Sequence, residues 1–313
     1  MRLKFLVPMG LIEERWQLDQ DLFVARAQEL GAEVSVQVTH FEEAVRSIQE
    51  GDLTTQGIDV LVVITPNEGN GDDVVKAARQ SGIPVVAYDR MIKNCDLDFY
   101  VSFDNVKVGK LQADYLVKRV PRGNYLLIGG PSTDANAQQF RQGQMGVLQP
   151  YIDRGDIRIV GEHWVKGWFP LEALMITRET LEMTGNQVDA VVASNDGTAG
   201  GVIRALVGKG LAGKVLVSGQ DADLAACQRI VEGIQSMTVY KPVKLLANQA
   251  AEAAVALAKK QPLPGHIQKV HNGAKDVPSI LFSPIAIDLT NLKATVISDG
   301  FHSESEIYKN PDL

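Results

Sequence analysis

The 313-residue sequence predicts an α/β protein made of two copies of one parallel-sheet sandwich, and three observations predict it. Short apolar, β-branched runs alternate with helical patterns almost throughout. Strands alternating with helices mean βαβ units, parallel sheets and right-handed crossovers. The sequence also repeats itself. Ile58-Asp59-Val60-Leu61-Val62-Val63-Ile64 is matched 130 residues later by Val188-Asp189-Ala190-Val191-Val192-Ala193-Ser194. Each copy is followed by a polar loop, a helix and a second strand ending in acid, Tyr88-Asp89-Arg90 in one half and Gly219-Gln220-Asp221 in the other. Finally, no linker or low-complexity tract separates the halves, and a chain of this length buries a substantial core without covalent help.

Taken in order, the first strand is Lys4–Pro8, and a helix follows over Trp16–Leu30, where Leu22, Ala25, Ala27 and Leu30 share one face. Glu33–Val38 and Val60–Thr65 are the next strands, their β-branched runs bounded by polar clusters. The helix Gly71–Ser81 leads to the strand Pro84–Tyr88, and Val106–Val120 is helical. The second half opens with the strand Tyr125–Gly129, the helix Ala137–Tyr151 and the strand Ile157–Trp164. Pro170–Met183 starts on the proline that a first helical turn tolerates. The strand Ala190–Ser194, the helix Thr198–Lys209 and the strands Val215–Gly219 and Ser236–Val239 follow. A long helix, Pro242–Lys260, aligns Leu245, Ala250, Ala254 and Leu257 on one side.

Composition excludes several functions. With 31 Lys+Arg against 38 Asp+Glu the net charge is −7, and no Lys/Arg run exists. Nucleic acid and anionic membranes are therefore not expected partners. No apolar run approaches the roughly 20 residues that span a bilayer. The start, Met1-Arg2-Leu3-Lys4-Phe5-Leu6-Val7-Pro8, lacks the long apolar region and small-residue cleavage site of a secretory leader. The two cysteines, Cys95 and Cys227, have no metal-ligand spacing. They occupy equivalent places in the repeat, six residues after Asp89 and six after Asp221, so two free thiols on separate lobes are expected.

Ligands of open parallel sheets sit beyond the carboxyl ends of the strands, and two such sheets facing each other would enclose a cleft. The residues that follow the strands therefore carry the functional information. In the first half they are Glu14-Arg15-Trp16, Pro66-Asn67-Glu68 and Asp89-Arg90. In the second they are Asp134-Ala135-Asn136, Asn195-Asp196, Asp221-Ala222-Asp223 and Tyr240-Lys241. Carboxylates, guanidiniums, amides and an ammonium are mixed, with no excess of either sign. A phosphate site would gather cations and glycine-rich backbone. A sugar asks for this mixture instead, because each hydroxyl both donates and accepts, and its C–H face suits an aromatic plane such as Trp16 or Trp168. The plain alternative is that these Asp and Asn residues only cap the following helices.

Rival chemistries lack their residues. His40, His163, His266, His271 and His302 have neither the i, i+4 spacing of a helical zinc site nor a neighbouring Cys ligand. Gly129-Gly130-Pro131 is not G-x-G-x-x-G, Ala199-Gly200-Gly201 falls inside a helix, and Ser132 and Ser194 lack the G-x-S-x-G elbow. Asp89 and Asp221 could form a glycosidase pair. Arg90 and Lys241 beside them would lower both pKa values, whereas a general acid needs its pKa raised. Binding is expected, not catalysis.

Six segments strongly resemble the periplasmic D-xylose-binding family of bacterial ABC sugar transport, a branch of the type I periplasmic sugar-binding proteins. They are Leu11-Ile12-Glu13-Glu14-Arg15-Trp16-Gln17, Ala87-Tyr88-Asp89-Arg90-Met91-Ile92 and Ala193-Ser194-Asn195-Asp196-Gly197-Thr198-Ala199-Gly200-Gly201, with Ser218-Gly219-Gln220-Asp221-Ala222-Asp223-Leu224-Ala225, Met237-Thr238-Val239-Tyr240-Lys241-Pro242 and Asp299-Gly300-Phe301-His302. The similarity runs from Lys4 to about Glu306. It implies two Rossmann-like lobes joined by three crossing segments, 1–106 plus about 244–282 and about 107–243 plus 283–313, closing on a monosaccharide. It implies that Arg15, Asp89, Arg90, Asn136, Arg141, Asn195, Asp221 and Lys241 meet the pentose hydroxyls. Asp134 supports them, and Trp16 and Trp168 pack on the ring. No cofactor and no metal are implied. The expected protein is an exported monomer, in the periplasm or on the cell surface as a lipoprotein, whose export signal is absent from this sequence. It would deliver D-xylose, or a close pentose, to the permease subunits of an ABC transporter. The same lobes also serve as the ligand domain of sugar-sensing regulators or two-component sensors, which is the alternative reading.

Overall fold

The computed structural model describes residues 1–9, 15–65 and 71–308. The chain divides into two units, Met1–Phe103 with Pro242–Phe282, and Asp104–Lys241 with Ser283–Leu313, so it passes from one to the other three times.

The first unit contains β1 (Arg2–Pro8), α1 (Arg15–Glu29), β2 (Glu33–Thr39), α2 (Phe41–Gln49), α3 (Asp52–Thr55), β3 (Val60–Val63), α4 (Gly71–Gln80), β4 (Val85–Tyr88) and β5 (Phe99–Phe103). To it return α10 (Val243–Ala258), β11 (Gln268–His271) and β12 (Asp276–Phe282). Its seven-stranded sheet runs β11-β12-β5-β4-β3-β1-β2, parallel except for the β11–β12 hairpin. Side chains alternate across the sheet with period two. Leu3, Phe5, Val60, Val62, Val86 and Tyr88 meet Phe23 of α1 and Leu246 and Ala250 of α10 on one face. Leu6, Leu61, Val63, Val85 and Ala87 meet Ala44 and Ile48 of α2 and Val74 and Ala78 of α4 on the other. A fully buried leucine such as Leu246 contributes about 1.5–3 kcal/mol.

The second unit contains α5 (Asn105–Arg119), β6 (Gly123–Gly129), α6 (Ala135–Asp153), β7 (Ile157–Trp164), α7 (Pro170–Met183), β8 (Ala190–Ala193), α8 (Asp196–Val207), β9 (Leu216–Val217), α9 (Leu224–Val231), β10 (Thr238–Tyr240), β13 (Ile285–Ile287), a π-helical turn (Lys293–Ile297) and α11 (Glu304–Ile307). Its main sheet, β7-β6-β8-β9, is wholly parallel, and β10 and β13 form a small antiparallel pair. The order β2-β1-β3-β4 of the first unit thus returns as β7-β6-β8-β9. Helices α7 and α8 cover one face and α5 and α6 the other. Gly109 and Gly143 let α5 and α6 approach closely, since a Cβ on either would sit about 2 Å from the other helix's backbone carbonyl (1.9 Å for Gly109, 2.0 Å for Gly143).

The repeated acids have a structural job. Asp59 accepts the Arg2 amide at 2.8 Å and gives its own amide to the Arg2 carbonyl at 2.8 Å. Asp189 does the same with Asn124, at 2.7 and 2.9 Å. Each registers the third strand of its unit on the first.

Several elements depart from the sequence expectation. Sequence reading found neither β5 nor the three strands after α10, nor helix α9. The sheets are also not purely parallel, because β11 and the β10–β13 pair run antiparallel. Both exceptions lie at sheet edges or outside the repeated core, where no crossover helix enforces parallel pairing.

Candidate functional site

In open sheets of this order the crevice lies where the strand order reverses, between β1 and β3 or between β6 and β8, beyond the carboxyl ends. Each unit carries a polar cluster at those ends.

In the first unit, Arg15 and Trp16 open α1 and Asp89-Arg90 follow β4. Arg15 Nη2 donates to Asp89 Oδ2 at 2.8 Å, and its Nε donates to Asp19 Oδ2 at 3.1 Å. The Tyr88 hydroxyl donates to the other Asp19 oxygen. Burial drives the Asp19 carboxyl and the Tyr88 phenol upward in pKa, with Arg15 opposing the shift at both. The Trp16 indole carries the Arg15 guanidinium 4.5 Å from its centroid and that of Arg90 at 5.3 Å, within cation–π range. Arg90 Nη1 donates to the Thr65 carbonyl at 2.9 Å. Asp89 has φ +62°, a left-handed backbone. Three bonds hold it there: its amide donates to the Val101 carbonyl at 2.9 Å, and its carbonyl accepts from Ser102 Oγ at 2.7 Å and the Tyr100 hydroxyl at 3.2 Å. Arg15, Trp16, Asp89 and Arg90 are all less than a tenth exposed. Glu14 and Pro66-Asn67-Glu68 lie outside the described residues.

In the second unit, Asp134 caps α6 by accepting the Asn136 amide at 2.8 Å, and its second oxygen accepts Trp168 Nε1 at 3.3 Å. Asn136 Oδ1 accepts from Asn105 Nδ2 at 2.9 Å. The indoles are seated by the Gly129-Gly130 pair at the end of β6. A Cβ on Gly130 would lie 2.1 Å from the Trp168 ring, and one on Gly129 would lie 2.9 Å from Trp164. Asn195 caps α8 through a reciprocal box with Thr198, which occupies its side-chain oxygen. The capping alternative therefore holds for Asp134 and Asn195, and each keeps polar atoms beyond its cap. Asp221, at φ +100°, pairs through Oδ1 with Lys241 Nζ at 2.9 Å, both being less than a tenth exposed. Its amide donates to the Val239 carbonyl at 2.8 Å, as that of Asp89 does to Val101. The two acids thus occupy equivalent left-handed corners.

Arg141 stands one and a half turns along α6 from Asn136. Its Nη1 lies 3.2 Å from Glu162 Oε1, and its guanidinium is 5.1 Å from the Trp164 centroid. Nε and Nη2 are buried with no hydrogen-bond partner among the described residues, and burial lowers the pKa of the group. Arg141 pairs with Glu162 and Asp221 with Lys241, as two separate ion pairs.

Three supporting residues were given no role by sequence reasoning, although Asp196 and Gln220 stand in segments it singled out. Asp196, fully buried, accepts from the Asp223 amide at 3.0 Å, Thr238 Oγ1 at 2.8 Å and Gln235 Nε2 at 2.8 Å, tying together the loops that carry Asn195, Asp221 and Lys241. Asp19 lies at i+4 from Arg15, a spacing that is visible in sequence. Gln220 stands beside Asp221 and donates to its Oδ2 at 3.0 Å.

The charges nearly cancel. The first unit sets Arg15 and Arg90 with Asp19 and Asp89, and the second sets Arg141 and Lys241 with Asp134 and Asp221, all buried. Such sets suit a neutral ligand rich in hydroxyls better than an ion. Among the described residues no group of His, Cys, Asp and Glu could hold a metal ion. No described helix is long and apolar enough to cross a membrane. Cys95 and Cys227 are both free and buried.

A family profile described as "Periplasmic binding protein domain" matches residues 6–262. The D-xylose-binding periplasmic protein of Escherichia coli (strain K12) is 55% identical over 94% of this chain and 89% of its own length. That of Haemophilus influenzae is 51% identical, with the same coverage of both chains. A carbohydrate transporter solute-binding protein from Chloroflexus aurantiacus, solved in complex with D-glucose, superposes with a TM-score of 0.88 at 29% identity, covering 98% of each chain. The fold is the type I periplasmic binding fold, and the chain belongs to the periplasmic binding protein family.

Proposed function

We propose that the chain is an extracytoplasmic solute-binding protein that captures D-xylose, or a close pentose, and hands it unchanged to the permease of an ABC transporter. The strand-end residues of each unit supply the sugar-binding groups. The observation that carries this reading is the duplicated corner: Asp89 with Arg15, and Asp221 with Lys241, each a desolvated acid–cation pair on a left-handed backbone. A pair of that kind offers a hydroxyl an acceptor and a donor at once, and burial makes both stronger than in water. Trp16 and Trp168 supply apolar planes for the ring's C–H face. Arg90, Asp134, Asn136, Arg141 and Asn195 complete the hydroxyl contacts.

Two relatives above 50% identity, both named for D-xylose, point to the pentose over the wider sugars bound by more distant family members. The relatives named for D-xylose are binding proteins, which supports a ligand that leaves as it entered. The protein works as a monomer and needs no cofactor.

Calorimetric titration with D-xylose, L-arabinose, D-ribose and D-glucose tests the reading. D-xylose should bind at about 1 μM or tighter, near −8 kcal/mol, and at least tenfold tighter than D-glucose. Absence of D-xylose binding up to about 1 mM, or a preference for glucose, overturns it.

A further inference from the structure

We infer that Gln220 is a further ligand-binding residue, whose side-chain carbonyl accepts a hydrogen bond from one sugar hydroxyl. The inference rests on the sugar-binding reading and adds a contact to it. Gln220 follows β9 and is 3% exposed. Its root is fixed, because the Gln220 carbonyl accepts the Asp196 amide at 2.9 Å and the neighbouring Gly219 carbonyl accepts the Val239 amide at 3.2 Å and Gln112 Nε2 at 3.0 Å. The side chain is fixed too. Nε2 donates to Asp221 Oδ2 at 3.0 Å, while Lys241 holds the other Asp221 oxygen at 2.9 Å.

That leaves Gln220 Oε1 buried with no partner among the described residues. Turning the amide over is no remedy, because it would set a carbonyl oxygen against the Asp221 carboxylate and orphan the NH2 instead. Buried acceptors are seldom left unmet in native proteins, and each exception calls for a reason. Here the reason is adjacency: the orphan lies one residue from Asp221 and is bonded to it. The Nε2 bond to Asp221 fixes which end is which, and the carbonyl oxygen at this end can only accept. It therefore demands a donor from the ligand, a role that a hydroxyl fills and a hydrogen, fluorine or methoxy group does not.

The test is calorimetric titration of wild type and Gln220→Met with D-xylose and its 1-, 2-, 3- and 4-deoxy analogues. Gln220→Met should weaken D-xylose ten- to hundredfold, about 1.4–2.8 kcal/mol at 1.4 kcal/mol per decade. One analogue, the one lacking the accepted hydroxyl, should bind wild type and variant within about threefold of each other, because the interaction it would lose is already gone. An equal loss for all four analogues would mean that Gln220 acts only by holding Asp221, and an unchanged D-xylose affinity would mean no role; either overturns the inference. Should the variant fail to fold, the Gln220 side-chain carbonyl carbon of the wild type, followed by NMR, must shift with D-xylose and not with the critical analogue. Arg141→Met serves as the separate control. If it too leaves D-xylose binding intact, the failure belongs to the site reading, not to Gln220 alone.

Discussion

Replacing Arg141 by methionine should move stability and affinity in opposite directions. Arg141 is 7% exposed, and two of its guanidinium nitrogens, Nε and Nη2, have no hydrogen-bond partner among the described residues. A buried donor left unmet costs about 1–3 kcal/mol, and more when it is charged. Against that stands the Glu162 ion pair at 3.2 Å. Its carboxylate is 45% exposed, so the pair is worth at most about 1 kcal/mol. The Trp164 stack adds about 0.5–2 kcal/mol. Methionine keeps most of the apolar volume and removes the orphaned donors. Without sugar, Arg141→Met should therefore be more stable than wild type by about 1–3 kcal/mol in urea titrations, a sign opposite to most buried substitutions. With sugar the balance reverses. Each charged hydrogen bond to a ligand is worth about 1.5–3 kcal/mol, so the loss of two should weaken D-xylose at least about a hundredfold. A variant that is less stable without sugar yet binds D-xylose normally would refute the reasoning, because Arg141 would then be a structural group.

Gly130→Ala would place a methyl 2.1 Å from the Trp168 ring, against an ordinary contact of about 3.5–4 Å, so the indole must retreat and strain its bond to Asp134. Overpacking of this kind costs about 1–3 kcal/mol, and D-xylose affinity should fall roughly tenfold or more by calorimetry; unchanged affinity would show that Trp168 does not touch the sugar. Burial pushes the Asp196 carboxyl up to about 7, above an unfolded value near 3.9, so between those values the unfolded chain gives up a proton that the folded one keeps and stability falls as pH rises. Asp196→Asn has no such titration and should lose less stability than wild type between about pH 4.5 and 8 in urea titrations, whereas equal losses would refute the assignment.

The repeated α/β core was legible because its signals are local. The runs around Val60 and Ala190 are apolar, β-branched and preceded by Asp59 and Asp189, and the structure gives those acids the same backbone partners in each unit. β5 was hidden for the opposite reason. Parallel neighbours normally bracket a helix, but β4 and β5 are joined by the ten-residue stretch 89–98, which contains none, so Phe99–Phe103 breaks the rhythm. The hairpin of β11 and β12 is an edge, with exposed Gln268, Lys269 and His271, and edge strands carry little apolar pattern. Among the candidate site residues, those directly after strands could be read from position alone. Arg141 could not: it lies inside α6, and only resemblance pointed to it. Gln220 was visible in Ser218-Gly219-Gln220-Asp221, yet no pattern in one dimension tells that its carbonyl lacks a partner.

The same trade recurs at Asp89 and Asp221. At φ +62° and +100° both stand in backbone that L-residues rarely adopt, at about 1–3 kcal/mol each, with aspartate nearer the low end because its short side chain tolerates the left-handed region. Glycine would adopt either corner without strain, and if the corner were only a turn, nothing would oppose glycine there. Aspartate is present in both copies of the repeat, so the carboxylate offsets the strain in some other way. Within each unit it does so only in part, because a desolvated ion pair such as Asp221–Lys241 gains little over an apolar filling of the same volume. Strained corners, desolvated pairs, the orphaned nitrogens of Arg141 and the orphaned carbonyl of Gln220 all cost stability in the protein alone. On the proposed function, each is a donor or acceptor fixed in advance for a ligand that brings its own hydroxyls, so that binding need not reorganise it.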